Sequence, residues 1–187
     1  MAPPDLPDDI PRLIGDAVLL APLAERDRME LERRLPETSR RLLHSEETGH
    51  PRSPGSFFVQ AGIQSLPPWG IYSRHSARLS GICRFAAWHL QHRRAELAFA
   101  ADASPRSEGL LVEALRLAIR FGFVTLEVNR IESFCLAGSA APSAAAREAG
   151  MMQEALLRGY VRDDLPGNRP VWHDVHLFAI VRSQWSG

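Results

Sequence analysis

Long apolar runs are missing from this chain. Nothing in it approaches the ~18 consecutive apolar residues that carry a helix across a bilayer, so no helical membrane span is read. Cysteine is scarce: Cys83 and Cys135 are the only two, both in apolar, strand-like surroundings, and they read as buried reduced thiols rather than a bridge. An excess of charge of either sign is also lacking, because 22 Lys and Arg meet 22 Asp and Glu. That balance gives no broad electrostatic footprint for nucleic acid, although a local basic patch stays open. The first nine residues are acidic and rich in proline, unlike a secretory leader, so a cytoplasmic protein is expected. What remains is 187 residues, 45% apolar and 24% charged, enough for one globular domain with a real core.

Residues 1–11 hold four prolines and read as a flexible arm before a single domain over 12–187. Val18 to Leu23 reads as a short strand. Ala24 to Leu35 reads as a helix stopped by Pro36, and Thr38 to His44 as another short helix. Glu46 to Ser56, with two glycines and two prolines, reads as a loop. Strands follow at Gly70–Ser73, at Leu79–Leu90 with a bend near Ala86, and at Ala95–Ala101, with a polar turn over His89–Arg94. Glu96 and Ala98 fall on one face of the last strand, Leu97 and Phe99 on the other.

The densest stretch runs from Glu96 to Met151. A strand leads into a polar turn over Ser104–Leu111, then a helix from about Glu108 to Phe121 with Leu110, Leu111, Ala114, Leu115, Ala118 and Phe121 at helical spacing. Gly122 reads as its stop. A strand over Arg130–Leu136 comes next, then a short helix from Pro142 and Ser143 to Ala149. A hairpin of Glu154–Arg162 with Val171–Val181 closes the chain. A turn that opens a helix straight after a strand presents free backbone N–H groups, which can hold a phosphate without any special side chain. One α/β domain accounts for this mixed order.

The ordered set of motifs resembles the GCN5-related N-acetyltransferase superfamily, and within it the ribosomal-protein N-terminal (alanine/serine) acetyltransferase branch. Arg93-Arg94-Ala95-Glu96-Leu97, Arg106-Ser107-Glu108-Gly109-Leu110-Leu111, Asn129-Arg130-Ile131-Glu132, Gly150-Met151 and Glu154-Ala155-Leu156-Leu157-Arg158 carry the resemblance. It implies a single domain with a central mixed, mostly antiparallel sheet, splayed between the family's fourth and fifth strands and flanked by helices. It implies acetyl-CoA or another acyl-CoA as co-substrate, no metal, and a primary amine as acceptor, either a small molecule or a protein N-terminus. Membrane and nucleic-acid partners are not expected, and a homodimer stays open. Pantetheine would pair with backbone at Phe99, Ala100 and Ala101, and the pyrophosphate would rest on amides from Ser107 to Leu111, with Arg106 at the head of the loop. Glu96 is the expected base, acting directly or through water, and Ser139 keeps a short polar group where the branch has an Asn near the pantetheine arm.

The loop departs from the family pattern at three places. Ser107 stands for a glycine, Glu108 for a lysine and Leu111 for a small residue, while Gly109 is kept. A carboxylate about 6 Å from a phosphate charge costs about 0.7 to 1.4 kcal/mol at an effective dielectric of about 40 to 80. An acidic residue in the first turn of a helix is also ordinary dipole stabilisation. Further on, Pro142 cannot donate a hydrogen bond, and Ala144, Ala145 and Ala146 fill the place of a tyrosine acid, which leaves proton delivery to water.

A salt bridge from Glu96 to Arg93 or Arg94 is the alternative to a base. His173, Asp174 and His176 are too few and too generically spaced for a metal site. His89 and His92 read as surface or as acceptor-pocket lining, Trp69, Trp88 and Trp172 as core or pocket wall. Arg33-Arg34 and Arg40-Arg41 read as solvated helix faces. Two other functions remain beside the acyl-CoA transferase: the same fold with aminoacyl-tRNA or a carrier-bound acyl group as donor, and a non-catalytic binding or dimerisation module.

Overall fold

The computed structural model describes residues 10–35, 63–64, 66–102, 104–163 and 170–187. The helix expected over Thr38–His44, the loop over Glu46–Ser56, the Arg40-Arg41 pair and most of the closing hairpin turn lie outside these residues. Ile10 and Pro11, read as the end of the arm, are tied in: Ile10 is buried in the core, and the carbonyl of Pro11 accepts the Trp69 indole N–H at 2.8 Å.

The strand segments form one sheet: burial alternates along Arg94–Ala101, while Leu79–His89 is buried almost throughout. In chain order the elements are β1 (Leu13–Ile14), β2 (Val18–Pro22), α1 (Glu25–Arg34), β3 (Ile63–Gln64), β4 (Trp69–Ser73), β5 (Leu79–His89), β6 (Arg94–Ala101), α2 (Pro105–Val124), β7 (Arg130–Leu136), α3 (Ala140–Glu148), β8 (Met152–Asp163) and β9 (Val171–Val181). The strand order is β1-β2-β4-β5-β6-β7-β9-β8, with β3 paired to β5 off this path. Among the described strands only β6 and β7 pair in parallel, joined by a crossover through α2. The bend near Ala86 is a bulge, where the β5–β6 register shifts between Phe85 and Ala87.

The two faces carry different helices. Leu111, Ala114, Leu115, Ala118 and Phe121 of α2, with Ala145 and Ala146 of α3, pack on Trp69, Phe85, Leu97, Ile131 and Phe178. On the opposite face, Leu31 and Leu35 cover Leu79, Ile82 and Ala100.

Both later helices start earlier than the sequence suggests. Ser104 is the N-cap of α2 and Pro105 takes its first position, where a missing N–H is harmless. α3 starts at Ala140 after the N-cap Ser139, so Pro142 sits in its first turn for the same reason. Gly122 does not stop α2: it lies inside the helix, where an added Cβ would come within 2.7 Å of Ile131 Cδ1 and 2.9 Å of Phe85 Cζ. It is a close-approach glycine, and the helix runs on to Val124.

Candidate functional site

β6 and β7 part soon after they meet. Their register runs only from Arg94 and Arg130 to Glu96 and Glu132, yet β6 continues to Ala101 and β7 to Leu136. A wedge opens between them, and at its apex the hydroxyl of Ser133 donates to the carbonyl of Leu97. Backbone groups along a strand face alternate sides. Because Leu97 faces the wedge, Phe99 and Ala101 face it too. Ala98 and Ala100 face β5, in keeping with Asp102, whose N–H donates to Ser80 O at 2.9 Å. Of the three residues expected to pair with pantetheine, Phe99 and Ala101 are so oriented and Ala100 is not.

Glu96 stands at the apex, beside Glu132 on the neighbouring strand. Burial pushes its carboxyl up to about 7, the Glu132 charge adds to this, and Arg84 and Arg94 oppose it. The salt bridge weighed against a base role does not form with either adjacent arginine. Arg93 pairs with Glu127 at 3.3 Å, and Arg94 with Glu132 at 3.5 Å. Glu132 is also held by Arg130 at 3.1 Å, which in turn grips Glu154 at 2.6 Å. One carboxylate of the pair is therefore locked in ion pairs while the other keeps its proton into the neutral range. His89 reaches Arg94 at 3.2 Å, and burial, then the Arg94 charge, keeps the imidazole neutral below its usual range.

Glu132 was legible in the Asn-Arg-apolar-Glu motif, but its role appears only through the register. Tyr160 is a second residue found through the fold alone: its ring stacks on Phe134 of β7, with centroids 5.8 Å apart and planes 5° apart.

At the far end of β6 the expected phosphate loop is drawn into α2. From Glu108 onward the amides bond one turn back inside the helix, so those of Gly109, Leu110 and Leu111 are not free, and the cradle narrows to the first turn. Ser107 is buried, its N–H bonds Ser104 O at 2.9 Å, and its hydroxyl donates to Asp102. The Asp102 carboxylate also accepts from Ser104 Oγ at 2.9 Å, Arg78 at 2.9 Å and Arg34 at 3.2 Å. Burial opposes its ionisation, but the two hydroxyls and the Arg78 guanidinium outweigh this and hold the carboxyl below its usual range. Arg34 is thus no solvated helix face. Glu108 and Gly109 are exposed, and nothing lies within 4 Å of a Cβ built on Gly109. Leu111 is buried under the helix and obstructs nothing. The side chain of Arg106 lies outside the described residues.

Ser139 caps α3 beyond the end of β7, on a hollow of about 420 Å³ walled in part by Leu136, Trp172 and Asp174. Four strand residues, or about 13 Å, separate Glu132 from Leu136, so Glu96 and Ser139 are not brought together. Asp174 accepts the Gly159 N–H at 2.7 Å, a structural role. Among the described residues no group of three or more His, Cys, Asp and Glu is placed to hold a metal. None of the described helices is long and apolar enough to cross a membrane.

A mixed sheet wedged open at the one parallel junction among its described strands, with a helix starting at one end and a carboxylate at the apex, defines an acyltransferase-like α/β fold. Residues 18–152 match the family model of the acetyltransferase (GNAT) domain. The chain belongs to the GNAT acetyltransferase family. No curated protein matches it. Among solved structures it is similar to a putative ribosomal-protein-serine acetyltransferase from Vibrio cholerae, with 18% identity over 96% of this chain and 99% of that one, and a TM-score of 0.62. It is similar to Mycobacterium smegmatis RimJ in complex with CoA-disulfide, with 20% identity over 100% and 93% and a TM-score of 0.66. A probable GNAT-family acetyltransferase from Chromobacterium violaceum gives 22% identity over 100% and 93%, and a TM-score of 0.64.

Proposed function

We propose that this protein is an acyl-CoA-dependent N-acyltransferase that moves acetyl from acetyl-CoA to a primary amine, a protein N-terminus or a small molecule, by direct attack in a ternary complex. The observation that carries it is Glu96: a carboxyl pushed up to about 7 at the apex of the wedge. Such a group is split between its two forms near neutral pH, which suits it to take the proton an ammonium must lose. When bound, the thioester supplies the activated acyl group. The backbone of Phe99 and Ala101 and the first turn of α2 would hold its carrier, and the open space over Gly109 leaves room for close approach. The buried thiols of Cys83 and Cys135, both pushed up to about 12 chiefly by burial, take no part and suit a reducing compartment such as the cytoplasm.

One observation favours a second reading. The Asp102 carboxylate sits at the head of α2, beside the place a pyrophosphate would take. A donor such as aminoacyl-tRNA or a carrier-bound acyl group, or a binding role without catalysis, would tolerate this better. Calorimetry with acetyl-CoA, followed by thiol release across a panel of amines, separates them. Absence of heat at millimolar acetyl-CoA would sink the leading reading, and binding without thiol release would favour a binding module. Glu108→Lys, an exposed change in the first turn, is expected to tighten CoA binding about tenfold at low salt and less at high salt. An unchanged affinity would take the head of α2 out of the binding site.

A further inference from the structure

Arg84 is a charged residue that the fold buries: it is 6% exposed, in the middle of β5. Burying a guanidinium is costly unless an opposite charge answers it. The strand register brings one such charge within reach. Arg84 stands opposite Ala98 on β6, and Glu96 is two residues from Ala98, so both side chains leave the same face of the sheet. The bulge between Phe85 and Ala87 then sets Ala87 opposite Glu96. The positions across from each group, Ala98 and Ala87, therefore carry only methyl groups and leave the space between the two open. Diagonal neighbours on an antiparallel pair lie about 7 to 8 Å apart, a span that two long side chains close.

The other cations on this face are engaged elsewhere. Arg94 pairs with Glu132 at 3.5 Å, and Arg130 with Glu132 at 3.1 Å and with Glu154 at 2.6 Å. His89 on β5 lies against Arg94, and its imidazole is kept neutral. Arg34 of α1, the helix on this side of the sheet, turns to Asp102 and Glu30. Tyr160 on β8 holds its phenol proton, through burial first and then the Glu96 and Glu132 charges. Arg84, Arg94 and Arg130 thus face Glu96, Glu132 and Glu154, and their charges sum to zero only while Glu96 is ionised. Burial and the Glu132 charge favour the acid form of Glu96, and Arg84 is the stronger of the two arginines that oppose them.

We infer that Arg84 is a positioning residue for Glu96: its buried guanidinium is the fixed counter-charge against which that carboxyl releases and regains its proton. The link to turnover rests on the function proposed above; the pairing of the two groups does not.

The test is carbon-13 NMR of the full chain with labelled glutamate carboxyls, titrated from pH 5 to pH 9, the Glu96 signal being the one missing from Glu96→Gln. Arg84→Met removes the charge and should move the Glu96 midpoint up by about one pH unit, a tenfold gain in proton affinity. Arg84→Lys keeps the charge and should hold the midpoint close to that of the wild type. The Arg84 Nε–H of the wild type should follow the same midpoint and lose that inflection in Glu96→Gln, a readout that needs no Arg84 variant to fold. An unmoved midpoint in Arg84→Met, an equal rise in Arg84→Lys, or an Arg84 Nε–H indifferent to Glu96 overturns the inference. In Arg84→Met the inflection of turnover with pH should rise in step with the carboxyl. A carboxyl midpoint that moves while turnover keeps its inflection supports the pairing and removes Glu96 from the reaction.

Discussion

Glu96→Gln is expected to cut turnover by about 10² to 10⁴ and to make the same protein more stable at pH 8. The first effect follows from removing the group that takes the ammonium proton. In the wild type the carboxylate is the active form, so activity should rise with pH and level off above about 7, and the variant should lose that inflection. Turnover unchanged at every pH would remove Glu96 from the reaction. The second effect follows from linkage. The folded value, about 7, lies above the ordinary 4.5 of a free glutamate, so the folded state binds this proton more tightly than the unfolded chain does. That contribution is fully present below pH 4.5 and is lost as pH rises through 7, at about 1.4 kcal/mol per pH unit. Its full loss is about 3 kcal/mol, which a neutral glutamine avoids. Thermal unfolding at pH 4 and pH 8 checks this: the variant should gain several degrees at pH 8 and nothing at pH 4.

Asp102→Ala is expected to destabilise the fold by about 2 to 3 kcal/mol. The carboxylate is 7% exposed and gathers two serine hydroxyls and two arginines from separate parts of the chain. Its removal leaves the buried hydroxyl of Ser107 with Ser104 Oγ, 2.7 Å away, as its remaining partner, and takes the counter-charge from the half-buried Arg34. The partly exposed Arg78 adds little, because solvent screens it. The urea midpoint should fall with an unchanged slope. Since the folded value of Asp102 lies below that of a free aspartate, the stability it confers is present above about pH 3.9 and fades as pH drops further. The gap between wild type and variant should close in acid. A gap that persisted there, or no gap at neutral pH, would assign the stability to something other than this ionised hub.

The strands are legible as short runs, some alternating and some apolar throughout: Arg94 to Ala101 displays its two faces in eight letters, and Leu79 to His89 reads as a strand buried almost throughout. The apolar spacing from Leu110 to Phe121 gave the body of α2 in the same way. The errors arose where one local signal has two physical uses. Glycine ends helices, but Gly122 is there because Phe85 and Ile131 press on the helix from distant strands. Ser104-Pro105 is a helix-start signal, and α2 opens there, ahead of the start near Glu108 that the phosphate-loop resemblance implies. The site was only half legible, for a different reason. Glu96 could be chosen from its own strand, but Glu132 gains its meaning from a parallel register, Tyr160 from a backbone irregularity, and Arg34 from a partner 68 residues away. None of these leaves a trace in local periodicity.

The short parallel seam has a consequence for the time axis of this fold. Along one strand, neighbouring amides live under different regimes. Those of Ala98 and Ala100 are sealed against β5 and trade their hydrogens with solvent only when the sheet itself opens. Those of Phe99 and Ala101 face a gap and trade them through small local excursions. The wedge is thus written into β6 as an alternation of fast and slow hydrogens, and any molecule that docks along the gap erases the rhythm by making the strand slow throughout.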